Sequence, residues 1–394
     1  ARFYDIFIYT SLISGRKIIM QYREFGKTGV KVSPIGFGMM RLPSDNEGNV
    51  NEAEAIRIVR EAIDNGLNYV DTAFNYHGGN SEKITGKALL DGYRDKVYLA
   101  TKAPVWMFKG PEDFDSILEK QLSRLQTDHI DMYLLHSLNA ISFEKKVLRY
   151  GVLDKIKAAR DAGKIKYIGF SFHDKLDVFK KICDSFDWDF CQIQLNYIDT
   201  KYQAGLEGLK YAADKGLAVS IMEPLRGGYL ANVPDAVQKV FDGTGKSAVE
   251  WGLDYLWNRP EVSVVLSGMG SEEQIKQNIE FASRSHAGMF SPADEKVIEK
   301  AQEIFASYDT IPCTGCSYCL PCPKGVGIPY NFVVYNNYQT NNNYEQEKER
   351  YKSWVTMFGK QASECVSCHT CESICPQHIN IAERLAKVAE TFSK

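Results

Sequence analysis

Short apolar runs alternate with longer segments of helical periodicity between Ser33 and about Met269. Runs of four to seven apolar residues, each followed by an amphipathic segment, are typical of repeated βα units around a parallel sheet. The region is long enough for eight such units, and no G-x-G-x-x-G motif follows the first run. The pattern therefore predicts a (β/α)8 TIM barrel rather than an open doubly wound sheet.

The period of the apolar positions also assigns individual elements. The predicted strands are 35–39, 69–71, 97–101, 130–135, 165–170, 190–194, 217–222 and 262–266. The predicted helices are 52–65, 81–89, 111–125, 153–162, 176–183, 203–214 and 247–257, followed by two more at 272–282 and 292–307. Ahead of the barrel, apolar segments flank the Gly26-Lys-Thr-Gly29 turn, which predicts a hairpin that plugs the bottom of the barrel.

Polar side chains stand at the ends of three consecutive predicted strands. Asp71 ends the second strand, Lys102 follows the third and His136 follows the fourth, while Tyr76 comes five residues after Asp71. Neighbouring strands of a barrel converge at their carboxyl ends, so we expect these four side chains to meet. An ammonium group beside a phenol lowers the pKa of the phenol, which makes Tyr76 a candidate proton donor.

These four residues suit the reversible protonation of a carbonyl oxygen. Lys102 supplies the positive charge, Asp71 holds Lys102, and a neutral His136 orients the substrate oxygen toward Tyr76. Taken singly, each residue also has a structural explanation, because an Asp caps helices, a Lys is solvated and a His is often a satisfied core residue. Their occurrence together and in this order favours the catalytic interpretation.

Eight of the ten cysteines fall in two compact ladders, Cys313–Cys322 and Cys365–Cys375. The second ladder has the C-x2-C-x2-C-x3-C-P spacing of bacterial ferredoxins, and the first is one residue shorter. In that pattern three thiolates of a ladder bind one cluster, and the fourth, placed before proline, binds the other cluster. The prediction is one [4Fe-4S] cluster on Cys313, Cys316, Cys319 and Cys375, and a second on Cys365, Cys368, Cys371 and Cys322.

Two alternatives to this pair of clusters stay open. The shortened first ladder leaves a single cluster as one alternative, and zinc is the other, since paired C-x2-C motifs also make tetrahedral sites. Four cysteines in one compact run exceed what a zinc knuckle requires, which favours iron and sulfide.

The remaining Cys183 and Cys191 are interpreted as small buried side chains. The segment 330–351, between the ladders, is rich in Asn and Tyr and has little periodicity.

Charge and composition narrow the classes of partner. The 394 residues carry a net charge of -3, which gives no electrostatic footprint for nucleic acid or an anionic membrane. In residues 1–19, charged residues break the apolar patch below membrane-spanning length, and a basic pair follows the patch, unlike in a signal peptide. We interpret 1–19 as a non-native or unstructured extension ahead of Met20. Dense unpaired thiols without a secretion signal predict the cytoplasm.

The barrel region resembles the aldo-keto reductase family from Tyr22 to about Ala282. The matching stretches are Gly36-Phe-Gly-Met39, Asp71-Thr-Ala-Phe-Asn-Tyr76, Ala100-Thr-Lys102, Leu134-Leu-His136, Ile168-Gly-Phe-Ser171 and Gln192-Ile-Gln194-Leu-Asn-Tyr197. The resemblance implies that Tyr76 is the general acid/base, that Lys102 and Asp71 tune it, and that His136 orients the substrate. It also implies a nicotinamide cofactor, whose carboxamide group Ser171 and Gln194 would hold.

Two departures from the family pattern bear on the cofactor. Where the family commonly stacks an aromatic ring on the nicotinamide after the seventh strand, this sequence has Met222. After the eighth strand, where the family usually presents basic groups to the extra phosphate of NADP(H), Glu272 and Glu273 would oppose a phosphate unless they point away. The turn before this helix still offers backbone N–H groups to a pyrophosphate. The candidate contacts in these two regions are Met222, Gly268, Ser271, Gln274 and Asn278.

Nearly the whole chain after Met20 resembles a branch of the aldo-keto reductases with a C-terminal ferredoxin-like domain, on the stretch Cys319-Leu-Pro-Cys322-Pro-Lys-Gly-Val326. We predict an extension over 1–19, a barrel over 20–290, a helix and linker over 291–312, and a dicluster domain over 313–394.

The leading hypothesis is an oxidoreductase that interconverts a small-molecule carbonyl and an alcohol. Its electrons would come from NAD(H) or NADP(H), from the two clusters, or from both, with a ferredoxin- or flavodoxin-type carrier as a candidate partner. Hydride chemistry moves two electrons whereas each cluster passes one, and no sequence feature assigns the flavin that would connect them. The alternatives are a nicotinamide-only reductase with structural or redox-sensing clusters, and a non-catalytic electron-transfer or binding subunit.

Overall fold

A computed structural model describes residues 10–13, 16–45 and 49–393 of the chain. The chain separates into two compact units, one comprising the residues up to Pro224 with Leu253–Met289, and the other Leu225–Gly252 with Phe290–Lys394. The predicted extension over 1–19 lies largely outside the described residues. Its described part is an antiparallel pair of strands, β1 (Thr10–Ile13) and β2 (Arg16–Ile19).

The first unit contains a closed barrel of eight parallel strands, which confirms the predicted TIM fold. Strand β12 pairs with β5 and so closes the cylinder. Strands β6 and β10 have the predicted bounds, and the other six differ by one to three residues at their ends. The barrel strands are β5 (Ile35–Gly38), β6 (Tyr69–Asp71), β7 (Tyr98–Ala103), β8 (Ile130–Leu138), β9 (Ile165–Phe172), β10 (Phe190–Gln194), β11 (Ala218–Met222) and β12 (Val264–Ser267).

The helices form where apolar residues recur at helical spacing and a polar residue caps the first turn. In the first helix Ala55, Ile58, Val59 and Ala62 are buried, and the side chain of Asn51 accepts a hydrogen bond from the backbone N–H of Glu54. The helices are α1 (Glu52–Asp64), α2 (Asn80–Ala88), α3 (Asp113–Leu125), α4 (Ala140–Ser142), α5 (Val152–Asp161), α6 (Leu176–Asp184), α7 (Gly205–Asp214), α8 (Asp235–Asp242), α9 (Ala248–Trp257) and α10 (Glu272–Arg284). Sequence periodicity did not predict the short helix α8, which belongs to the second unit.

The predicted hairpin ahead of the barrel is present as β3 (Arg23–Glu24) and β4 (Lys31–Val32). Between them, Phe25 is fully buried, with its ring centroid 5.4 Å from that of Phe190 and 5.8 Å from that of Tyr69. The hairpin turn approaches the barrel backbone closely, since the N–H of Lys27 donates to the carbonyl of Gly216 at 3.0 Å. The hairpin therefore plugs the barrel, as predicted.

The second unit contains four further helices, and the last three of them pack around an apolar core of their own. The long helices of this unit are α11 (Pro292–Ala306), α12 (Ile328–Asn341), α13 (Tyr344–Phe358) and α14 (Ile381–Phe392). Helices α12 and α13 occupy the segment that the sequence showed to be rich in Asn and Tyr. Their buried side chains include Phe332, Tyr335, Tyr351 and Val355. Aromatic rings thus form much of the apolar face of these helices, which the weak periodicity of the segment did not indicate. No described helix is long and apolar enough to cross a lipid bilayer.

Two glycines of the plugging hairpin test how closely it fits. Gly26 and Gly29 both have left-handed backbone angles, with φ of 54° and 74°, but only at Gly26 would an added Cβ clash, at 2.4 Å from the backbone nitrogen of Ala218. We expect Gly26→Ala to lower the free energy of unfolding by about 3 kcal/mol or more, and Gly29→Ala by only about 1 kcal/mol. Thermal unfolding followed by circular dichroism compares them, and equal losses would contradict a tight plug.

Candidate active site and cysteine ladders

Three adjacent barrel strands position the four residues predicted to be catalytic. Asp71 is the last residue of β6, and β7 carries Lys102 beside it. His136 lies near the end of β8, which pairs with β7. Tyr76 begins a 3-10 turn, Tyr76–Gly79, that follows β6. The structure therefore brings all four side chains to the carboxyl end of the barrel, where barrel enzymes place their sites.

The ammonium group of Lys102 is the centre of this arrangement. Its Nζ donates to Oδ1 of Asp71 at 2.6 Å, to the backbone carbonyl of Thr72 at 2.7 Å and to the hydroxyl of Tyr76 at 3.4 Å. A lysine ammonium has three N–H donors, so each of them has a partner here. Lys102 is only 1% exposed and Asp71 only 3%, which leaves Tyr76 as the more accessible member of the group.

Burial shifts the pKa of the two groups that flank this centre. It raises the pKa of Asp71, and the Lys102 ammonium opposes that rise. Burial also lowers the pKa of His136 well below its ordinary value, with smaller contributions from Lys102 and His173. The imidazole of His136 is therefore neutral near pH 7. Its ring centroid lies 6.1 Å from that of Tyr76, and the two rings are nearly perpendicular.

An apolar wall stands next to His136. The ring of Trp106, which is 41% exposed, lies 5.0 Å from the ring of His136. Met107, in the same turn, is also exposed, whereas Phe108 is completely buried. A buried ring nitrogen of His136, Nδ1, has no hydrogen-bond partner among the described residues. A polar substrate oxygen would thus find hydrogen-bonding groups beside an apolar surface.

Three of the candidate cofactor residues lie on neighbouring strands. Ser171 in β9 pairs in register with Gln192, and Gln194 at the end of β10 pairs with Met222 at the end of β11. The hydroxyl of Ser171 accepts from the backbone N–H of Ser137 at 2.7 Å. One hydroxyl, one amide and one thioether are thus presented along adjacent strand ends, a donor set that fits a carboxamide and the face of an aromatic ring.

The other four candidates lie in or after the turn that follows β12. Ser271 caps α10 by accepting from the N–H of Gln274 at 3.3 Å, and Oε1 of Gln274 accepts from the N–H of Gly270 at 2.7 Å. Asn278 is buried and donates to the hydroxyl of Ser267 at 2.9 Å. These bonds hold the turn at the start of α10 in one shape, and Gly268 lies in that turn.

Sequence reasoning missed a basic side chain beside this turn. A Cβ added to Gly268 would lie 3.0 Å from Cβ of Arg41, a residue that follows the first barrel strand. Closure of the barrel by β5 and β12 makes the two loops neighbours. The carboxylate of Glu272 is also compensated, because it pairs with Lys276 and lies 3.3 Å from Arg57. The negative charge near this turn, which would repel a phosphate, is therefore smaller than the sequence of the turn alone indicated.

The cysteines of the second unit form two mixed groups. Burial raises the pKa of Cys319, and the next largest contributions come from Cys316, Cys313 and Cys375, which identifies these three as its charged neighbours. Burial likewise raises the pKa of Cys371 to about 11, with further contributions from Glu372, Cys322 and Cys365. Cys375 therefore lies near Cys319 of the first ladder, and Cys322 lies near Cys371 of the second. None of the ten cysteines forms a disulfide in the structure.

The two ladders share the same backbone form. Gly315 and Ser317 of the first ladder and Ser367 and His369 of the second occupy equivalent positions, and all four have left-handed φ angles between 53° and 66°. The N–H of Gly315 points to Sγ of Cys313 at 3.5 Å, and that of Ser367 points to Sγ of Cys365 at the same distance. Loops with N–H groups directed inward suit an anionic centre.

Thiolates grouped in this way repel one another, and a cationic iron-sulfide core would compensate their charge; the core together with its thiolates is the anionic centre that the N–H groups suit. Cys368 is exposed, and its Sγ accepts from the hydroxyl of Thr370 at 3.5 Å. Across the described ranges, no three His, Cys, Asp or Glu side chains are close enough together to hold a single metal ion.

Comparison with known proteins agrees with this architecture. The Aldo/keto reductase family matches residues 34–287, and the 4Fe-4S dicluster domain matches residues 312–380. L-galactose dehydrogenase of Arabidopsis thaliana is 29% identical over 284 residues, covering 66% of this chain and 87% of that protein. The uncharacterized oxidoreductase YrpG of Bacillus subtilis is 32% identical, covering 54% and 68%. A holo-form aldo-keto reductase structure from Bacillus halodurans has a TM-score of 0.60 and 25% identity, covering 72% and 96%.

The match to the Aldo/keto reductase family covers the whole barrel from β5 to α10, and the match to the 4Fe-4S dicluster domain covers both cysteine ladders. The relatives named as reductase, dehydrogenase or oxidoreductase agree with the chemistry of the barrel site. The chain belongs to the Aldo/keto reductase family and is an oxidoreductase with a C-terminal ferredoxin-like 4Fe-4S domain.

Proposed function

We propose that the enzyme interconverts a carbonyl and an alcohol at the barrel site, with Tyr76 as the general acid and base. The observation that carries this proposal is the buried ammonium of Lys102, which contacts both the Asp71 carboxylate and the Tyr76 hydroxyl. A positive charge held beside a phenol stabilises the phenolate that remains after the proton leaves. The same pair takes the proton back when an alcohol is oxidised.

The four residues divide the proton chemistry among them. In the reductive direction, Tyr76 donates its hydroxyl proton to the carbonyl oxygen, and Lys102 stabilises the phenolate. Asp71 keeps the ammonium in place through the 2.6 Å bond. Neutral His136 hydrogen-bonds the substrate oxygen and directs it to Tyr76. A bound nicotinamide would supply the hydride in this direction.

We further propose which residues hold that nicotinamide. Ser171 and Gln194 would bind its carboxamide, and Met222 would cover one face of the ring. At the other end, the turn before α10, with Gly268, Ser271, Gln274 and Asn278, would receive the phosphates through backbone N–H groups. Arg41 adds a positive charge next to this turn, and this supports the phosphorylated cofactor more than the sequence of the turn did. NADH is the alternative.

For the second unit we propose two [4Fe-4S] clusters with crossed ligands. Cys313, Cys316 and Cys319 would bind one cluster with Cys375, and Cys365, Cys368 and Cys371 would bind the other with Cys322. The charge neighbours of Cys319 and Cys371 support this assignment. Such clusters pass single electrons, so we infer that they exchange electrons with a ferredoxin- or flavodoxin-type carrier in the cytoplasm. Coupling the clusters to hydride chemistry would need a flavin, which no observation assigns. The alternative is that the clusters act only as structural or sensing centres.

Substitution of the proton donor tests the barrel chemistry. We expect Tyr76→Phe to lower the kcat for carbonyl reduction by about 100-fold or more, because the proton donor is lost. The assay uses anaerobic protein, a panel of aldehydes and ketones, and NADH, NADPH or reduced ferredoxin as the reductant. Tyr211→Phe is the matched control, since the Tyr211 hydroxyl bonds an exposed carboxylate of Asp184, far from the catalytic residues in the fold. Unchanged turnover in Tyr76→Phe would contradict the proposal.

The choice of reductant in this assay separates the functional alternatives. Turnover with NADH or NADPH that persists when the clusters cannot change oxidation state supports structural or sensing clusters. Turnover that needs reduced ferredoxin places the clusters in the electron path. Absence of Tyr76-dependent turnover with every reductant would favour a role in electron transfer or binding.

The protonation of His136 makes stability depend on pH. Its pKa in the folded protein lies well below the ordinary value of 6.5, so below that pH the unfolded chain binds a proton that the native protein does not. Stability therefore falls as the pH drops from 7 to 5.5, by up to about 1.4 kcal/mol per pH unit for one such group. We expect His136→Asn to lose less stability over this interval. Urea unfolding at both pH values measures the difference, and equal losses would argue against a neutral His136.

The crossed cluster ligands can be tested by pairwise substitution. We expect Cys316→Ser and Cys375→Ser each to remove about half of the iron, and the double variant to lose no more, because both residues bind the same cluster. Combining Cys316→Ser with Cys322→Ser should remove nearly all iron. Iron and sulfide analysis with electron paramagnetic resonance of the reduced protein provides the measurement. Cys183→Ala, in α6, is the control and should keep all iron; additive losses for Cys316 and Cys375 would refute the crossing.

A further inference from the structure

We infer that Glu82, Gln121 and Arg124 form a network that positions the Tyr76 hydroxyl against the Lys102 ammonium. The inference rests on the proposed function of that pair. Gln121 and Arg124 reach the catalytic residues through hydrogen bonds to the backbone carbonyls of Lys102 and Phe74, so we assign them a positioning role. Their effect passes through the backbone on which the two catalytic side chains stand.

The centre of the network is the completely buried carboxylate of Glu82 in α2. Its Oε1 accepts from the hydroxyl of Thr101 at 2.8 Å and from Nε2 of Gln121 at 2.6 Å. Its Oε2 accepts from Nη1 of Arg124 at 3.0 Å. A buried carboxylate is costly unless it is paired and hydrogen-bonded, and these three donors compensate it. Glu82 thus ties together α2, β7 and α3.

Arg124 extends the network to both sides of Tyr76. Nη1 of Arg124 also donates to the backbone carbonyl of Phe74 at 3.0 Å, and the guanidinium lies 4.3 Å from the centre of the Phe74 ring. On the other side, a Cβ added to Gly79 would lie 3.1 Å from Nη2 of the same guanidinium. Arg124 therefore contacts the chain two residues before Tyr76 and three residues after it.

The turn that carries Tyr76 has an unusual backbone that needs such support. His77, Gly78 and Gly79 follow Tyr76 with φ angles of 49°, 63° and 91°, so three successive residues are left-handed. The left-handed conformation is unfavourable for a residue with a Cβ, and it persists where surrounding contacts fix it. The guanidinium of Arg124 against Gly79 is one such contact. The ring of Tyr76 is consequently held by a turn that Arg124 restrains.

Gln121 connects the same carboxylate to the second catalytic residue. Its Nε2 donates to the backbone carbonyl of Lys102 at 3.1 Å as well as to Glu82. Its Oε1 accepts from the buried hydroxyl of Tyr133 at 2.7 Å, which fixes the orientation of the amide. Through Gln121 and Arg124, the carboxylate of Glu82 is thus connected both to the backbone of Lys102 and to the turn that carries Tyr76. The distance between the Lys102 ammonium and the Tyr76 hydroxyl therefore depends on Glu82.

A second buried ion pair in the barrel provides a matched control. Asp131, at the start of β8, is buried like Glu82, and its Oδ2 lies 2.7 Å from Nη2 of Arg94. Its Oδ1 also pairs with Lys166 at 2.7 Å. Arg94 also donates to the backbone carbonyls of Val97 and His129. This pair therefore resembles Glu82–Arg124 in burial and in its backbone bonds, but it lies at the amino ends of the strands, away from the catalytic side chains.

The pKa of the Tyr76 phenol reports the geometry directly, without any substrate. The titratable groups near this phenol include Lys102, Asp71 and His136, with His77 next in the chain. Of these, Lys102 is the cation in contact with the hydroxyl. If the turn or the Lys102 backbone moves, the phenolate loses part of that stabilisation, and the pKa of Tyr76 rises.

The experiment titrates Tyr76 in the full, cluster-loaded chain by carbon-13 NMR of tyrosine labelled at Cζ. The resonance is assigned by its absence in Tyr76→Phe. We expect Arg124→Met to raise the pKa of Tyr76 and to lower kcat about tenfold with little change in KM, whereas Arg94→Met loses a similar amount of thermal stability and leaves the pKa of Tyr76 unchanged. Arg124→Lys, which keeps a cation beside Glu82, should restore part of the wild-type pKa.

The outcomes separate this inference from the proposed function. An equal shift in the Arg124→Met and Arg94→Met variants, or a shift in neither, overturns the positioning role. If Arg124→Met does not fold, Gln121→Met is titrated in its place, because it removes the bond to the Lys102 carbonyl and keeps the ion pair. Absence of carbonyl turnover in the wild type would contradict the proposed function, whereas the NMR titration of Tyr76 needs no turnover and would still test the positioning role.

Discussion

The buried ammonium of Lys102 is the constraint on which the barrel site depends. Removing a charged amine from water is expensive, and the cost is tolerable only when every N–H has a partner and an opposite charge is close. Asp71, the Thr72 carbonyl and the Tyr76 hydroxyl meet that requirement together. A buried ion pair of this kind adds little to stability, so its value lies in holding a positive charge at a fixed place beside a phenol.

Much of this site could be predicted from the sequence, because barrel strands are short, apolar and followed directly by their functional side chains. Asp71, Lys102 and His136 were recognisable for that reason, and the eight strands followed from the alternation of periods. The cysteine ladders were equally readable, since their spacing encodes the chemistry locally. The roles of the individual residues are still proposals, as are the number of clusters and the assignment of their ligands.

What sequence reasoning missed depends on contacts between distant segments. Arg41 follows the first barrel strand, and only closure of the barrel puts it beside Gly268. Glu82 is a charged residue in a helix, a type that is seldom fully buried, although packing buries it completely. Helices α12 and α13 were hidden because aromatic residues form their inner face and because Asn331 and Asn336, residues typical of turns, are buried there with hydrogen bonds to the backbone.

Closure of the barrel also has a consequence for how cofactor preference can change in evolution. The wall next to the turn before α10 is built from both ends of the barrel sequence, with Arg41 contributed by the first βα loop and Gly268 by the last. A lineage could therefore gain or lose a positive charge in the early loop, the one that we propose faces the cofactor, while the late loop stays unchanged. The preference for NADH or NADPH would then depend on both segments together. A sequence motif taken from only one of them would assign the wrong cofactor to such enzymes.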